Sequence, residues 1–174
     1  MVELYELRAS LLNILDAAIT VCGASKGNIQ LLDRQRGTLS IAAQRGFDGS
    51  FLQLFQLVRV DEPSACGRAF RQRQRVVIQD IARDPLFASY ISIARANGFQ
   101  AVQSTPIFAH DGSVLGVFST HFARPGQYSE RLGGMLDRCA GRMAALIEGQ
   151  PESEFPSGTD IPVSGPRPMT ARYH

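Results

Sequence analysis

The residues best placed to do chemistry are a histidine among hydroxyls, a cysteine beside a glycine, and a run of arginines. His121 stands in Ser119-Thr120-His121-Phe122, at the end of an apolar-rich stretch that reads as a strand. Residues two apart on a strand share a face, so Leu115, Val117, Ser119 and His121 are expected on one side. By the same parity, Val102, Ser104 and Pro106 share a side of the preceding strand, and Asn28 and Gln30 share a side of GNIQLLD. Brought together, these amide, hydroxyl and imidazole groups would form a pocket whose selectivity rests on a few hydrogen bonds. His121 keeps two readings, a structural histidine and a ligand-binding one.

Cys66, in SACGR, is a candidate nucleophilic thiol. Such chemistry needs a thiolate and a second, resolving cysteine close by. Cys22 and Cys139 fall instead in segments patterned as long helices near the two ends. Three cysteines, widely spaced and without CxxC, argue against a disulfide framework or a zinc site. Small buried thiols are the plain expectation. Arg68, Arg71, Arg73 and Arg75 would suit a phosphate, but their spacing scatters them around a helix and into a strand, as on a solvated face. The carboxylates Asp61-Glu62, Asp80 and Asp84 lie in loop-like stretches, where turn capping accounts for them. His110, His121 and His174 fall in a turn, a strand and the C-terminal stretch, so no metal ligands are expected.

The elements that must hold these groups are readable from periodicity. Residues 3–22 form an amphipathic helix, with Leu4, Leu11 and Ala18 in one heptad-like series and Leu7, Ile14 and Val21 in another. Strands follow at 27–33 and 38–44, joined by a turn, then a short helix at 48–55 and an edge strand at 57–60. A helix at 64–72 precedes a strand at 75–81, and a second helix at 86–97 ends on Gly98. Strands at 99–109 and 113–123 flank the turn His110-Asp111-Gly112. The last helix, 129–148, carries Leu132, Met135, Leu136, Cys139, Met143 and Leu146 along one stripe. From residue 150 the composition changes, and five prolines fall within the last 25 residues. We therefore expect one domain over 1–149 and a disordered tail over 150–174.

The hairpins imply antiparallel pairing rather than a parallel sheet. The expected fold is α+β, with the terminal helices together on one face of the sheet and the short helices roofing a pocket on the other. A net charge of +2 is too small to imply a nucleic-acid or membrane partner. No run approaches the ~18 apolar residues of a membrane span, and the N-terminus lacks an apolar signal core, so a cytoplasmic location is expected.

Taken in order, GNIQLLD with TLSIAAQRGF, SACGRAFRQRQRVVIQDIARDP and GFQAVQSTPIFAHDGSVLGVFSTHF resemble the GAF family over roughly residues 9–148, most closely the GAF modules of bacterial sensor histidine kinases. The resemblance implies a GAF/PAS-like antiparallel sheet of about six strands. It implies terminal helices that pair in a homodimer, and a pocket that binds a small ligand, a cofactor or nothing. No cofactor is named by it. Output would come from a partner such as a histidine kinase, and the expected role is sensory, not enzymatic.

Two branches of the family come closer at single residues. The last hairpin also resembles that of the bilin-holding phytochrome GAF domains, whose final strand carries a chromophore-contacting histidine at the place of His121 and whose preceding strand carries a serine at the place of Ser104. Pro106 stands where a second serine is found, and Asp80-Ile81-Ala82 replaces an Asp-Ile-Pro segment, so a bilin is not expected. Cys66-Gly67 followed by Ala69 resembles a motif of the free methionine-(R)-sulfoxide reductases. Another cysteine of that family sits past the central strand, where this chain reads DIARDPLFASY. The expected ligand-binding set is Asn28, Gln30, Cys66, Ser104, Ser119 and His121. The alternatives are a reductase using Cys66, and an interaction module whose pocket is filled by Phe47, Phe51, Phe55 and Phe87.

Overall fold

The computed structural model describes residues 2–149. Its first element, α1 (Val2–Cys22), buries Leu7, Leu11, Ile14, Leu15, Ala18 and Cys22. The expected heptad series holds from Leu7 to Ile14 but fails at Val21, which is 58% exposed. An unsupercoiled helix drifts about 20° per heptad, so its second repeat brings Cys22, not Val21, onto the buried seam. The helix stops at Gly23, whose φ of +66° lets the next amide, that of Ala24, turn back to the Ile19 carbonyl.

Six strands follow: β1 (Lys26–Asp33), β2 (Thr38–Arg45), β3 (Leu57–Arg59), β4 (Val76–Ile78), β5 (Ala101–Phe108) and β6 (Val114–Phe122). They form one antiparallel sheet in the order β3-β2-β1-β6-β5-β4. Between them run the short helices α2 (Gly49–Phe55), α3 (Ala65–Gln72) and α4 (Ile91–Ala96), and the chain closes with α5 (Gly133–Glu148). The sheet separates two apolar clusters. On one face, α1 and α5 pack with Ile29, Ala43, Ala101, Ile107, Phe118 and Phe122. On the other, α2, α3 and α4 cover Leu39, Ile41, Val102 and Val117. The helix stripes are therefore buried within the chain, while Tyr5 and Val21 on α1 remain exposed.

The order of elements is as expected, and several boundaries differ for local reasons. The strand expected at 75–81 pairs only over Val76–Ile78. Asp80 then accepts the Ala82 amide and starts a 3-10 turn. The helix expected at 86–97 is divided: Asp84 accepts the amides of Leu86 and Phe87 and starts a 3-10 stretch, Pro85–Tyr90, before α4. The expected alternation of Leu115 with Val117 is also broken. Phe108 pairs with Val114 and Ile107 with Gly116, which leaves Leu115 as the extra residue of a bulge. One extra residue reverses facing, so Leu115 packs on the cluster of the terminal helices while Val117 stays with the opposite one. The Pro-rich tail lies outside the described residues.

The centre of the sheet is tight. A Cβ at Gly116 would lie 2.2 Å from the Gln30 carbonyl oxygen and 3.1 Å from the Leu31 Cα, both backbone atoms of the neighbouring strand. Gly116→Ala is expected to cost about 3 kcal/mol, at the upper end of overpacking effects. Urea denaturation of the variant tests this; an unchanged midpoint would contradict so close an approach of β1 to β6.

Candidate ligand-binding site

The floor of the site is set by strand register. Ser119 on β6 stands opposite Ser104 on β5 and Asn28 on β1, which places amide and hydroxyl groups in one row across three strands. Val102 and His121 pair in the row on one side, and Gln30 pairs with Val117 in the row on the other. The Ser104 and Ser119 hydroxyls hydrogen-bond at 2.7 Å. Gln30 donates its amide to the Phe55 carbonyl at 3.2 Å, tying the floor to the end of α2.

The roof comes from four segments. Phe51 and Phe55 project from α2, Phe87 from the 3-10 stretch, Phe99 from the turn after Gly98, and Ala65 and Cys66 from the first turn of α3. Ser64 caps α3 by accepting the Gly67 amide at 3.3 Å, and its hydroxyl lies 3.3 Å from the Cys66 sulfur. Asn28, Gln30, Cys66, Ser104, Ser119 and His121, the six residues expected from the sequence, all line this cavity. Its volume is about 20 Å³, room for one water. Of the aromatics expected to fill it, Phe51, Phe55 and Phe87 line it, and Phe47 stands behind, stacked on Phe51 at 3.7 Å.

Two residues of the cavity lining each carry a buried polar atom with no hydrogen-bond partner from the protein, Asn28 Oδ1 and His121 Nδ1; Thr38 Oγ1, Arg68 Nε and Tyr128 OH are unpaired in the same way on residues outside it. Asn28 and His121 are both at least nine-tenths buried. The His121 ring meets Phe47 at 4.8 Å, Phe99 at 4.6 Å and Phe51 at 5.9 Å, each edge to face. Burial in this aromatic surround, with a smaller contribution from Lys26, lowers the imidazole pKa to about 3. His121 is therefore neutral near pH 7, with one ring nitrogen a donor and the other an acceptor.

Burial likewise pushes the Cys66 thiol above its ordinary value, more than the Ser64 hydroxyl lowers it. Cys66 is thus held as a thiol rather than a thiolate. Cys22 and Cys139 belong to the cluster of the terminal helices, across the sheet from Cys66. The Cys22 thiol is raised to about 11, chiefly by burial.

The arginines have structural partners. Arg68 pairs with Asp84 at 2.8 Å, both side chains 16% exposed. Arg71 donates to the carbonyls of Val60 and Glu62, and Arg73 to that of Gly112. Arg75 reaches Thr105, the Gly133 carbonyl and Asp137. The expectation of a solvated face is corrected for Arg68 and Arg75, which brace turns and elements that linear spacing does not bring together. Sequence reasoning also missed Phe99 and Ser64 as lining residues. The expected strand at 99–109 takes in Phe99, which lies in the turn before β5; the signal is an aromatic directly after a helix-stopping glycine. Among the described residues no group of three or more His, Cys, Asp and Glu side chains gathers to hold a metal. No described helix is long and apolar enough to cross a membrane.

A six-stranded antiparallel sheet with terminal helices on one face and a roofed cavity on the other defines a GAF-like α+β domain. The GAF domain family matches residues 6–148, and the chain belongs to that family. The methyl sulfide methyltransferase-associated sensor of Methanosarcina acetivorans is 30% identical over 94 residues, 53% of this chain and 9% of that protein, so the chain spans only a small part of this relative's length. Among solved structures, a type II free methionine-R-sulfoxide reductase from Thermoplasma acidophilum is similar at a TM-score of 0.67 and 16% identity, covering 84% of this chain and 96% of the other. A domain described as part of a two-component sensor histidine kinase protein from Sinorhizobium meliloti 1021 is similar at a TM-score of 0.61 and 18% identity, covering 79% and 87%. At these identities the likeness is one of fold, and it extends to a sensor domain and an enzyme alike.

The buried imidazole gives stability a specific pH dependence. His121 has a folded pKa of about 3, below its ordinary 6.5. Above about pH 7 both folded and unfolded states hold it neutral. Between 6.5 and about 3 only the unfolded state takes the proton, so stability falls as pH drops through that window and levels off below it. Between pH 7.5 and pH 5 the protein is expected to lose about 2 kcal/mol more than its His121→Gln variant. Urea midpoints at the two pH values measure the difference; equal losses would mean a solvated imidazole.

Proposed function

We propose that this chain is a regulatory GAF module that binds a small molecule between the sheet and its short helices and passes the change to a signalling partner through α1 and α5. The reading rests chiefly on Asn28 and His121, two residues of one cavity lining that each carry a buried polar atom without a protein partner. An unmet buried polar group costs about 1–3 kcal/mol, and a ligand entering beside Asn28 and His121 offers both a partner. The cavity at its present volume has room for one water, so a larger ligand requires the roof to shift.

The route of the signal follows from strand alternation. Asn28 faces the cavity while Ile29 packs on the terminal helices, and Ser119 faces the cavity while Phe118 packs on those helices. A displacement of either strand is felt on both faces. The reading includes a homodimer contact through the terminal helices. The sensor relative and the histidine-kinase neighbour support a signalling partner of that kind.

The reductase reading shares the fold but lacks support from the cysteines. Cys66 is held protonated, and Cys22 and Cys139 lie across the sheet from it. With free methionine-(R)-sulfoxide and a dithiol reductant, no turnover is expected. Turnover that disappears in Cys66→Ser would overturn this part of the reading.

Native mass spectrometry of freshly purified protein, set against the same sample denatured, tests the binding reading directly. We expect excess mass that leaves on denaturation, is missing from a folded His121→Ala variant, and rides on a dimer in the native spectrum. A bare polypeptide mass would move the function to an interaction module with an aromatic-filled pocket.

A further inference from the structure

The cavity lining contains no Asp, Glu, Lys or Arg. Its one titratable ring, His121, is buried among phenylalanines and lacks a partner at Nδ1. A ligand that brought a charge here would lose its hydration and meet no counter-charge, which strongly disfavours ions. An uncharged molecule meets apolar ring faces on the roof and hydrogen-bonding groups on the floor.

Phe99 supplies the space. It lines the inner cavity, and it also lines an outer cleft of about 270 Å³ bordered by Ile81, Ile91, Arg95 and Gln100. It is the one residue shared by the two linings, so Phe99 stands between them. The residue is 1% exposed, and its ring stands edge to face on His121 at 4.6 Å. An aromatic ring cannot enter 20 Å³ unless another group leaves, and Phe99 is the wall whose displacement joins the cavity to the cleft. The backbone beneath it is a turn rather than a paired strand: Gly98 has a φ of +70°, and the Phe99 amide donates to the Ala94 carbonyl.

We propose that the pocket takes an uncharged, flat aromatic molecule with a donor and an acceptor on one edge, which replaces the Phe99 ring beside His121 and hydrogen-bonds to Asn28 and His121. The proposal rests on the ligand-binding reading above and narrows it to a ligand class and a position. The neutral imidazole and the Asn28 amide each offer both hydrogen-bond senses across their two polar atoms, which matches such an edge. Molecules that must bury a phosphate or a zwitterion do not fit.

Benzamide, benzoate and benzamidine test it, because they share a shape and carry no charge, a negative charge and a positive charge. Affinities are read by NMR titration of the folded protein, wild type and Phe99→Ala. Benzamide is expected to bind the wild type at least tenfold more tightly than either ion, with shifts centred on His121. It is expected to bind Phe99→Ala at least tenfold more tightly again, and Asn28→Leu more weakly than the wild type. If Phe99→Ala does not fold, Phe99→Leu removes the flat ring with less loss of volume and makes the same comparison. An ion that binds as well as benzamide, with the same dependence on Asn28, would overturn the ligand class and leave the pocket reading standing. Unchanged benzamide affinity in the folded Phe99 variant would overturn the ring replacement. Absence of binding by all three probes would overturn the inference, and the native mass spectrum then decides separately whether the pocket reading survives.

Discussion

The pairing of β1 with β6 is the contact on which the other features depend. It joins a strand from the first fifth of the chain to one formed about ninety residues later. The two strands approach so closely that glycine stands on both sides of the contact. A Cβ at Gly27 would lie 2.9 Å from the Ser119 carbonyl oxygen, and one at Gly116 still nearer the Gln30 carbonyl. With the register held there, β2 and β3 extend the sheet on one side and β5 and β4 on the other. The same register places Asn28 beside Ser119 and Gln30 beside Val117. The polar floor is thus a product of one strand pairing, and no loop is needed to aim it.

Much of this was legible in the sequence because strand alternation is a strong rule where both faces are buried. Asn28 with Gln30, Ser119 with His121, and Ser104 across from them could be assigned to one face before any contact was known. The terminal helices were legible for a similar reason, since buried apolar residues at helical spacing leave few other solutions. What escaped was of two kinds. The bulge at Leu115 is not announced by local composition, and parity cannot be carried through it. The roles of Arg68 and Arg75 depend on carboxylates and carbonyls brought close only by the fold. Phe99 was misread because an aromatic after a glycine suits the start of a strand as well as a turn.

The aromatic roof and the polar floor also divide the work of stability. Phe47, Phe51, Phe87 and Phe99 belong to one packed cluster, so the roof contributes apolar burial as it closes over the cavity. The floor contributes less, because part of its polar surface lacks partners within the protein. Stability gained above is set against groups left unmet below, an arrangement common where a fold reserves a surface for recognition. The short 3-10 segments, each started by an aspartate, let the roof be assembled from several pieces in place of one rigid helix.

Alternation along β1 and β6 has a consequence for how such a module diversifies. Side chains that meet the cavity and side chains that meet the terminal helices are neighbours in sequence yet lie on opposite faces of the sheet. Point substitutions can therefore rewrite recognition while leaving the relay untouched, or the reverse. A single-residue insertion within either strand does neither, since it carries one set of side chains into the other's place. Away from the crowded Gly27 and Gly116, such strands change by substitution, whereas a change in length needs a turn, or a bulge like that at Leu115, to absorb it.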